Sequence, residues 1–329
     1  MCNLKLAQSF SMIALNAQDS RYMTTVKKIS LRCIAAAVIL EIYLDGGFTQ
    51  TGYNATLQKS VSEQSDIALY QETVLNALAY KKGSVNGNLK WWLAKASKLS
   101  MRKLKKLERA IADFLMGADL LEEIPNLLGC DLFYDGAGVK IKEYRSNIEE
   151  YTRITESIRA EILEEGSVTD ETILMLWLLR ESACLHDIFS KNELQTVALR
   201  IYELRQSSTF AKAVFEIDIH RGIEIAIKGL LNAKKTVIKT STGTGVNFIF
   251  PFFERSQSVF IDTEAWFSNS NQRLSDVKAR LEANGHSYTV LREGQVPLIK
   301  VDNILYEAVP EAIQGRVPIH GVRLRKYPI

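Results

Sequence analysis

The longest apolar run lies between Leu31 and Phe48, LRCIAAAVILEIYLDGGF, where the positions from Cys33 to Leu44 are apolar on nearly every helical face. A helix greasy all round belongs inside a larger helical body. The following Gly46-Gly47 ends it. A bilayer crossing takes roughly 20 apolar residues and tolerates a carboxylate poorly, so a run this short with Glu41 inside it reads as a core helix.

The same pattern places other elements around it. A short helix is expected over Phe10–Leu15, one or two short strands within Phe48–Val61, and a helix capped by Ser65 or Asp66 that runs through Tyr80. After the loop KKGSVNGN, the stretch Lys90–Leu115 sets Leu104, Leu107, Ile111, Phe114 and Leu115 at the 3–4 spacing of one buried helix face. Leu127–Tyr134 and Val139–Tyr144 read as strands of a hairpin turning at Asp135-Gly136-Ala137-Gly138. Helices follow over Ser146–Glu165, from Val168-Thr169-Asp170 through LMLWLL, over Lys191–Arg205 and over Ile217–Leu231.

Proline marks a change of character, because Pro125 stands alone before residue 250 whereas Pro251, Pro297, Pro310, Pro318 and Pro328 crowd the end. Each proline in a helix interior costs about 3 kcal/mol, so the long proline-poor part is permissive for helix. The expectation is a mainly α protein: residues 1–231 form a helical bundle around a central hydrophobic helix with a projecting β-hairpin. Residues 232–329 form a small α+β domain, with TVIKTST, VNFIFPFF, QSVFIDTE, HSYTVLRE, PLIKVDN and ILYEAV as strands and Asn271–Asn284 as a helix.

With 47 % hydrophobic and 24 % charged residues the chain has the composition of an ordinary soluble protein. Its net charge of +3 is too small for a general nucleic-acid binder, so no nucleic-acid partner is expected. Cys2, Cys33, Cys130 and Cys184 are scattered without a CxxC, which fits a reducing cytoplasm. The opening MCNLKLAQSFSMIALNAQDSRY lacks a signal-peptide core, so the expected location is the cytoplasm, free or peripheral on the cytoplasmic membrane face.

Charge is local where it is strong. Between Lys90 and Arg109 there are eight basic residues against the single acid Glu108. Lys98, Arg102, Lys105 and Arg109, with Lys106 beside them, line the face opposite the apolar one, and Trp91 and Trp92 precede them. Near anionic lipid each cation contributes on the order of 1 kcal/mol, and tryptophan favours the interface. These seven residues are therefore the expected site for anionic lipid headgroups. The alternative is a solvated helix face with both tryptophans in the core, belonging to a soluble protein-interaction module. The hairpin Leu127–Tyr144 offers strand edges for a protein partner or a second copy of the chain.

Catalytic signals are weak. VFIDTE, with Asp262 and Glu264 at a strand end, resembles the first acidic motif of DEDD-type exonucleases. Only 65 residues follow Glu264, and His286, Asp302 and Glu307 are too irregularly placed to complete such a site, so no enzyme activity is expected. STGTG at Ser241–Gly245 lacks the GxxxxGK[ST] pattern and reads as a turn. Cys184 and His186 cannot share a helix face, and His220 and His320 lack partners at ligand spacing. No metal and no cofactor are assigned.

Several segments taken in order carry a resemblance: FSMIALNAQDSRYMTT, AVILEIYLDGGF, LKKLERAIADFLMGADLL and DETILMLWLLRESACLHDIF. Over roughly residues 9–231 the chain resembles the Golgi phosphoprotein 3 family and looks like a distant, bacterial-type member. The resemblance implies a mainly helical fold with a central hydrophobic helix and a projecting hairpin. Eukaryotic members are peripheral membrane proteins that bind phosphatidylinositol 4-phosphate and contact glycosyltransferase tails. Counting back from Glu41, the family's pocket tryptophan and first arginine fall on Val26 and Ala35, and its two later arginines fall on Lys105 and Glu108. The resemblance therefore carries over only part of that lipid site.

Overall fold

The computed structural model of the 329-residue chain describes residues 4–51, 54–57, 68–78, 86–135, 141–219, 258–263, 269–314 and 318–327. Helices α1 (Leu6–Leu15) and α2 (Thr25–Leu44) lead to strands β1 (Phe48–Thr51) and β2 (Asn54–Leu57), helix α3 (Leu69–Leu78), strand β3 (Asn86–Gly87), and helices α4 (Leu89–Ala96) and α5 (Met101–Gly117). Strand β4 (Leu121–Pro125), the helical turn α6 (Leu132–Asp135) and strand β5 (Lys142–Ser146) come next. Helices α7 (Ile148–Leu163), α8 (Asp170–Ser182), α9 (Leu185–Ile188), α10 (Lys191–Ser207) and α11 (Thr209–Phe215) follow. The last described elements are β6 (Val259–Asp262), α12 (Ser270–Ala283), β7 (Tyr288–Arg292), β8 (Leu298–Val301), β9 (Ile304–Ile313) and β10 (Ile319–Lys326). The protein is mainly helical, with a five-stranded antiparallel sheet built from its carboxy-terminal part. No described helix is long and apolar enough to cross a membrane.

The chain forms two compact units. The first comprises Met1–Leu15, Lys27–Leu121 and Glu149–Lys235, the second Asn16–Val26, Glu122–Ile148 and Thr236–Ile329. The second unit is therefore not the carboxy-terminal stretch alone that proline placement suggests. Two internal segments join it because their side chains and backbone groups find partners there.

In the first unit every residue of α2 from Cys33 to Leu40 is buried, as the all-apolar pattern requires. Glu41 closes that run and is buried too, but it is not left unsatisfied. Its carboxylate accepts the Ala7 N–H at the start of α1 (2.8 Å), the Tyr70 hydroxyl (3.0 Å) and the Gln71 amide (2.6 Å). One acid thus caps the amino end of one helix and fastens another. Burial nevertheless pushes the Glu41 pKa up, against those three hydrogen bonds. Helix α8 is the second core helix, capped by Thr169, and its indole Trp177 donates to Ile217 O at 2.9 Å. Helix α10 starts with a complete capping box, Ser190 and Glu193.

In the second unit the sheet order is β6-β10-β9-β8-β7, antiparallel throughout. Helix α12 covers one face with Leu274, Val277 and Leu281, which share a core with Val259, Ile261, Ile299 and Val322. Gly321 on β10 is required by sterics, since a Cβ there would run into the Ile261 carbonyl and the Phe260 ring. Strands β8 and β9 are joined by the two-residue turn Asp302-Asn303, both at positive φ (45° and 72°).

The structure corrects three expectations. The hairpin strand expected at Leu127–Tyr134 is a 3-10 turn (Leu127–Cys130) followed by α6. Leu127 and Cys130 are buried with the sheet residues of the second unit, and that packing selects turns over an extended strand. The real two-stranded pair is β4 with β5, whose far edge is also occupied: Ala17 and Ser20 donate to the Tyr144 and Lys142 carbonyls, and Tyr144 donates to Gln18. The strand edges invoked for a partner along Leu127–Tyr144 are therefore largely consumed internally. Finally, Lys90–Leu115 is two helices with a break at Ser97–Ser100, and Phe114 sits at 36 % exposure rather than in the core.

Other expectations lie outside the described residues: the Ser65 or Asp66 cap, TVIKTST, VNFIFPFF, STGTG at 241–245, His220, Glu264, the Gly136–Gly138 part of the turn and the helix expected beyond Ile219. Strand β10 and helix α11 have no counterpart in the sequence reading.

Candidate functional site

Helix α5 buries Leu104, Leu107, Ile111 and Leu115 and turns the opposite face outward. Arg102, Lys105, Lys106 and Arg109 are all exposed on it. Together with Leu69 and Thr73 of α3, and with Ala110 and Asp113 further along α5, they line a groove of about 440 Å³. The Tyr70 and Phe114 rings meet edge to face 5.2 Å apart, holding α3 against α5. No ion pair or hydrogen bond engages Arg102, Lys105, Lys106 or Arg109 among the described residues.

The single acid in the basic stretch does not neutralise it. Glu108 is turned inward, where it forms a buried ion pair with Lys27. The carboxylate that does face the groove is Asp113, one turn beyond Arg109. Lys103 is spent elsewhere, donating to Ala77 O (2.6 Å) in the last turn of α3, where a cation complements the negative end of the helix dipole.

The remaining expected site residues divide. Lys98 is exposed but lies in the break between α4 and α5 and does not line the groove. Trp91 is half-buried, with the Lys95 ammonium 4.9 Å from its ring centre. Trp92 is a correction: at 1 % exposure it packs edge to face on Phe48 (5.6 Å) and on Trp91 (5.0 Å). Its position on α4 points it into the core with Leu93 and Ala96, so it has no surface to offer a membrane.

The second unit holds a cluster of a different kind, whose members His286 and Asp302 the sequence reading set aside and whose third member, Glu143, it did not consider. Glu143 of β5, His286 ahead of β7 and Asp302 of the β8–β9 turn are all buried, and one donor atom from each lies within 4.8 Å of the others. His286 Nδ1 is 2.5 Å from Asp302 Oδ2. The other oxygen of Asp302 accepts from Arg145 (2.7 Å) and from the Ser287 N–H (3.1 Å). Arg145 is in turn bonded to Glu122 at 2.8 Å. Burial, reinforced by the Asp302 charge, pushes the Glu143 carboxyl up to about 8, although the Leu127 N–H and Arg145 pull it down. Beside it, Asn16 Oδ1 accepts from the Ser146 N–H (3.1 Å) and from Asn303 (3.2 Å). This network brings three distant parts of the chain into one buried polar site.

Of the acids considered for metal-dependent hydrolysis, Asp262 ends β6 and is exposed. The chain matches no known protein-family description and no curated protein.

Proposed function

We propose that this protein attaches reversibly to anionic membrane surfaces through the groove between α3 and α5, without catalysing a reaction. The observation that carries the reading is the charge pattern of α5. Arg102 and Lys106, and again Lys105 and Arg109, are like-charged pairs one helical turn apart, each of which costs an isolated helix about 0.2–0.5 kcal/mol. The first turn contains no acid, so Arg102 within it also faces the positive end of the helix dipole unfavourably. A bound polyanion relieves the repulsion between these cations, because phosphate oxygens accept from lysine and arginine together.

Apolar neighbours favour a lipid source for the phosphate. Leu69 is 62 % exposed at the groove edge and Met101 is 42 % exposed at the start of α5. With the half-buried Trp91 they supply interfacial contacts beside the charge. The finer architecture belongs to the same proposal: a bundle around α2, of the Golgi phosphoprotein 3 type, that recruits a protein partner to the membrane. The alternative, a soluble interaction module, shares this fold but leaves the groove without a ligand.

Vesicle flotation tests the proposal. Recovery with phosphatidylserine- or phosphoinositide-containing vesicles should exceed recovery with neutral phosphatidylcholine. It should also fall between about 50 and 500 mM salt, because exposed charge is screened within about 8 Å at physiological ionic strength. Equal recovery on neutral and anionic vesicles, or none on either, contradicts it.

A further inference from the structure

We propose that the groove on α5 selects lipids that carry two phosphodiesters joined by a short carbon bridge, one phosphate held at each of two cation pairs. This rests on the membrane reading above and names the class of headgroup. The four groove cations form a two-by-two array. Along the helix the neighbours are Arg102 with Lys106 and Lys105 with Arg109; across it they are Arg102 with Lys105 and Lys106 with Arg109. Each cross pair holds one arginine and one lysine. The second pair repeats the first four residues further on, about 6 Å along the helix axis.

The array is closed at both ends. Asp113 lines the groove one turn beyond Arg109 and repels a further anion there. On the other side Lys98 lies in the break before α5, outside the groove. The site is therefore finite, and its four cations against one carboxylate accept two negative charges without reversing sign.

A single phosphodiester leaves this array half used. It accepts two parallel bonds from an arginine fork and one from the neighbouring lysine, which engages one pair and leaves the other pair repelling. Two separate lipids could fill both pairs, but each must then be confined on its own. When one bridge joins the phosphates, the second capture is intramolecular and proceeds at a raised effective concentration.

The opposite wall says what lies between the phosphates. Leu69 and Thr73 of α3, with Ala110, complete the lining. The Thr73 hydroxyl already donates to Leu69 O at 2.7 Å, so this wall has little to offer the hydroxyls of a sugar-like ring. It suits a carbon bridge, and Leu69, 62 % exposed at the rim, meets the acyl region beyond it.

Flotation of the full chain tests this with phosphatidylcholine vesicles containing a small mole fraction of cardiolipin, whose two phosphodiesters share one glycerol. These are compared with vesicles containing twice that fraction of phosphatidylglycerol, so that phosphate and charge are matched. The expected result is at least roughly threefold tighter binding to the cardiolipin vesicles. Arg102→Gln with Lys105→Gln, and separately Lys106→Gln with Arg109→Gln, should abolish that preference in chains whose Tm shows them folded. Lys90→Gln with Lys98→Gln, outside the groove, should keep it. Deacylated cardiolipin, added as a soluble competitor, should displace the vesicles only weakly. Equal binding to the two anionic compositions, above that to phosphatidylcholine alone, overturns the proposal and leaves anionic membrane attachment standing. Absence of binding to either overturns both. A preference that survives in a folded chain lacking one pair, or deacylated cardiolipin that binds as tightly as the vesicles, also overturns the proposal.

Discussion

At the scale of single residues, the groove cations follow a rule opposite to that of most surface charges, since removing them should help the free protein. Lys105→Glu replaces a repulsion with an attraction to Arg109 and places an acid near the amino end of α5. Its expected effect is a Tm equal to or slightly above wild type, by a few tenths of a kcal/mol, together with weaker recovery on anionic vesicles. Thermal unfolding and flotation of the same sample check both halves. Glu193 behaves in the ordinary way. The bidentate Arg159 guanidinium (2.7 and 2.9 Å) and the Ser190 amide hold its carboxyl well below the usual range, at about 2. Between pH 2 and about 4.5 the unfolded chain therefore binds more protons at this site than the folded one. The stabilisation is complete above that window and is lost as pH falls through it, with an upper limit of about 3 kcal/mol before solvent screening. Glu193→Gln should flatten the fall of Tm with acid in this window, as followed by circular dichroism.

At the scale of elements, the pattern of apolar positions carries most of the information where a helix is long and capped. Helices α2, α7, α8 and α10 lie where periodicity and the Thr169 cap place them, and the structure adds the Ser190–Glu193 box at the start of α10. The pattern fails where several conformations bury the same residues. In Lys90–Leu115 the buried series continues through Leu93, Ala96 and Leu99, so nothing in hydropathy announces the break at Ser97–Ser100. Leu127–Tyr134 fails for a related reason: Leu127 and Cys130 reach their core equally well from successive turns, and contacts with β6 and α12 decide between turns and strand. Buried ion pairs between elements are equally silent in sequence. Glu108 counts as a surface acid until Lys27 is found against it. Glu108→Ala leaves that ammonium buried without its carboxylate and should destabilise the protein by about 3–5 kcal/mol. Urea denaturation should show it as a lower midpoint with an unchanged slope.

At the scale of the whole molecule, the division of the chain is the least legible feature. Proline placement points to a boundary before the last hundred residues, yet Asn16–Val26 and Glu122–Ile148 belong with them. The same topology hides the Glu143–His286–Asp302 cluster, whose members meet only because β5 joins the second unit. A chain ending at residue 231 would thus strip Leu127, Cys130 and Glu143 of their partners. Such a chain should aggregate or unfold at lower temperature than the full protein, as measured by light scattering during heating. A truncated chain as stable as the parent would contradict the assignment of those segments to the second unit. The basic stretch, by contrast, is legible as charge but not as a groove, because Leu69 and Thr73 approach it from a different helix.

The most direct test of the membrane proposal separates the groove from charge in general. Flotation on anionic vesicles should be compared for the wild type, for a chain with Arg102, Lys105, Lys106 and Arg109 all changed to alanine, and for a control with Lys90 and Lys98 changed to alanine, both exposed but outside the groove. The account predicts lost recovery for the groove variant and near wild-type recovery for the control, with all three chains folded. Undiminished recovery of the folded groove variant would contradict it.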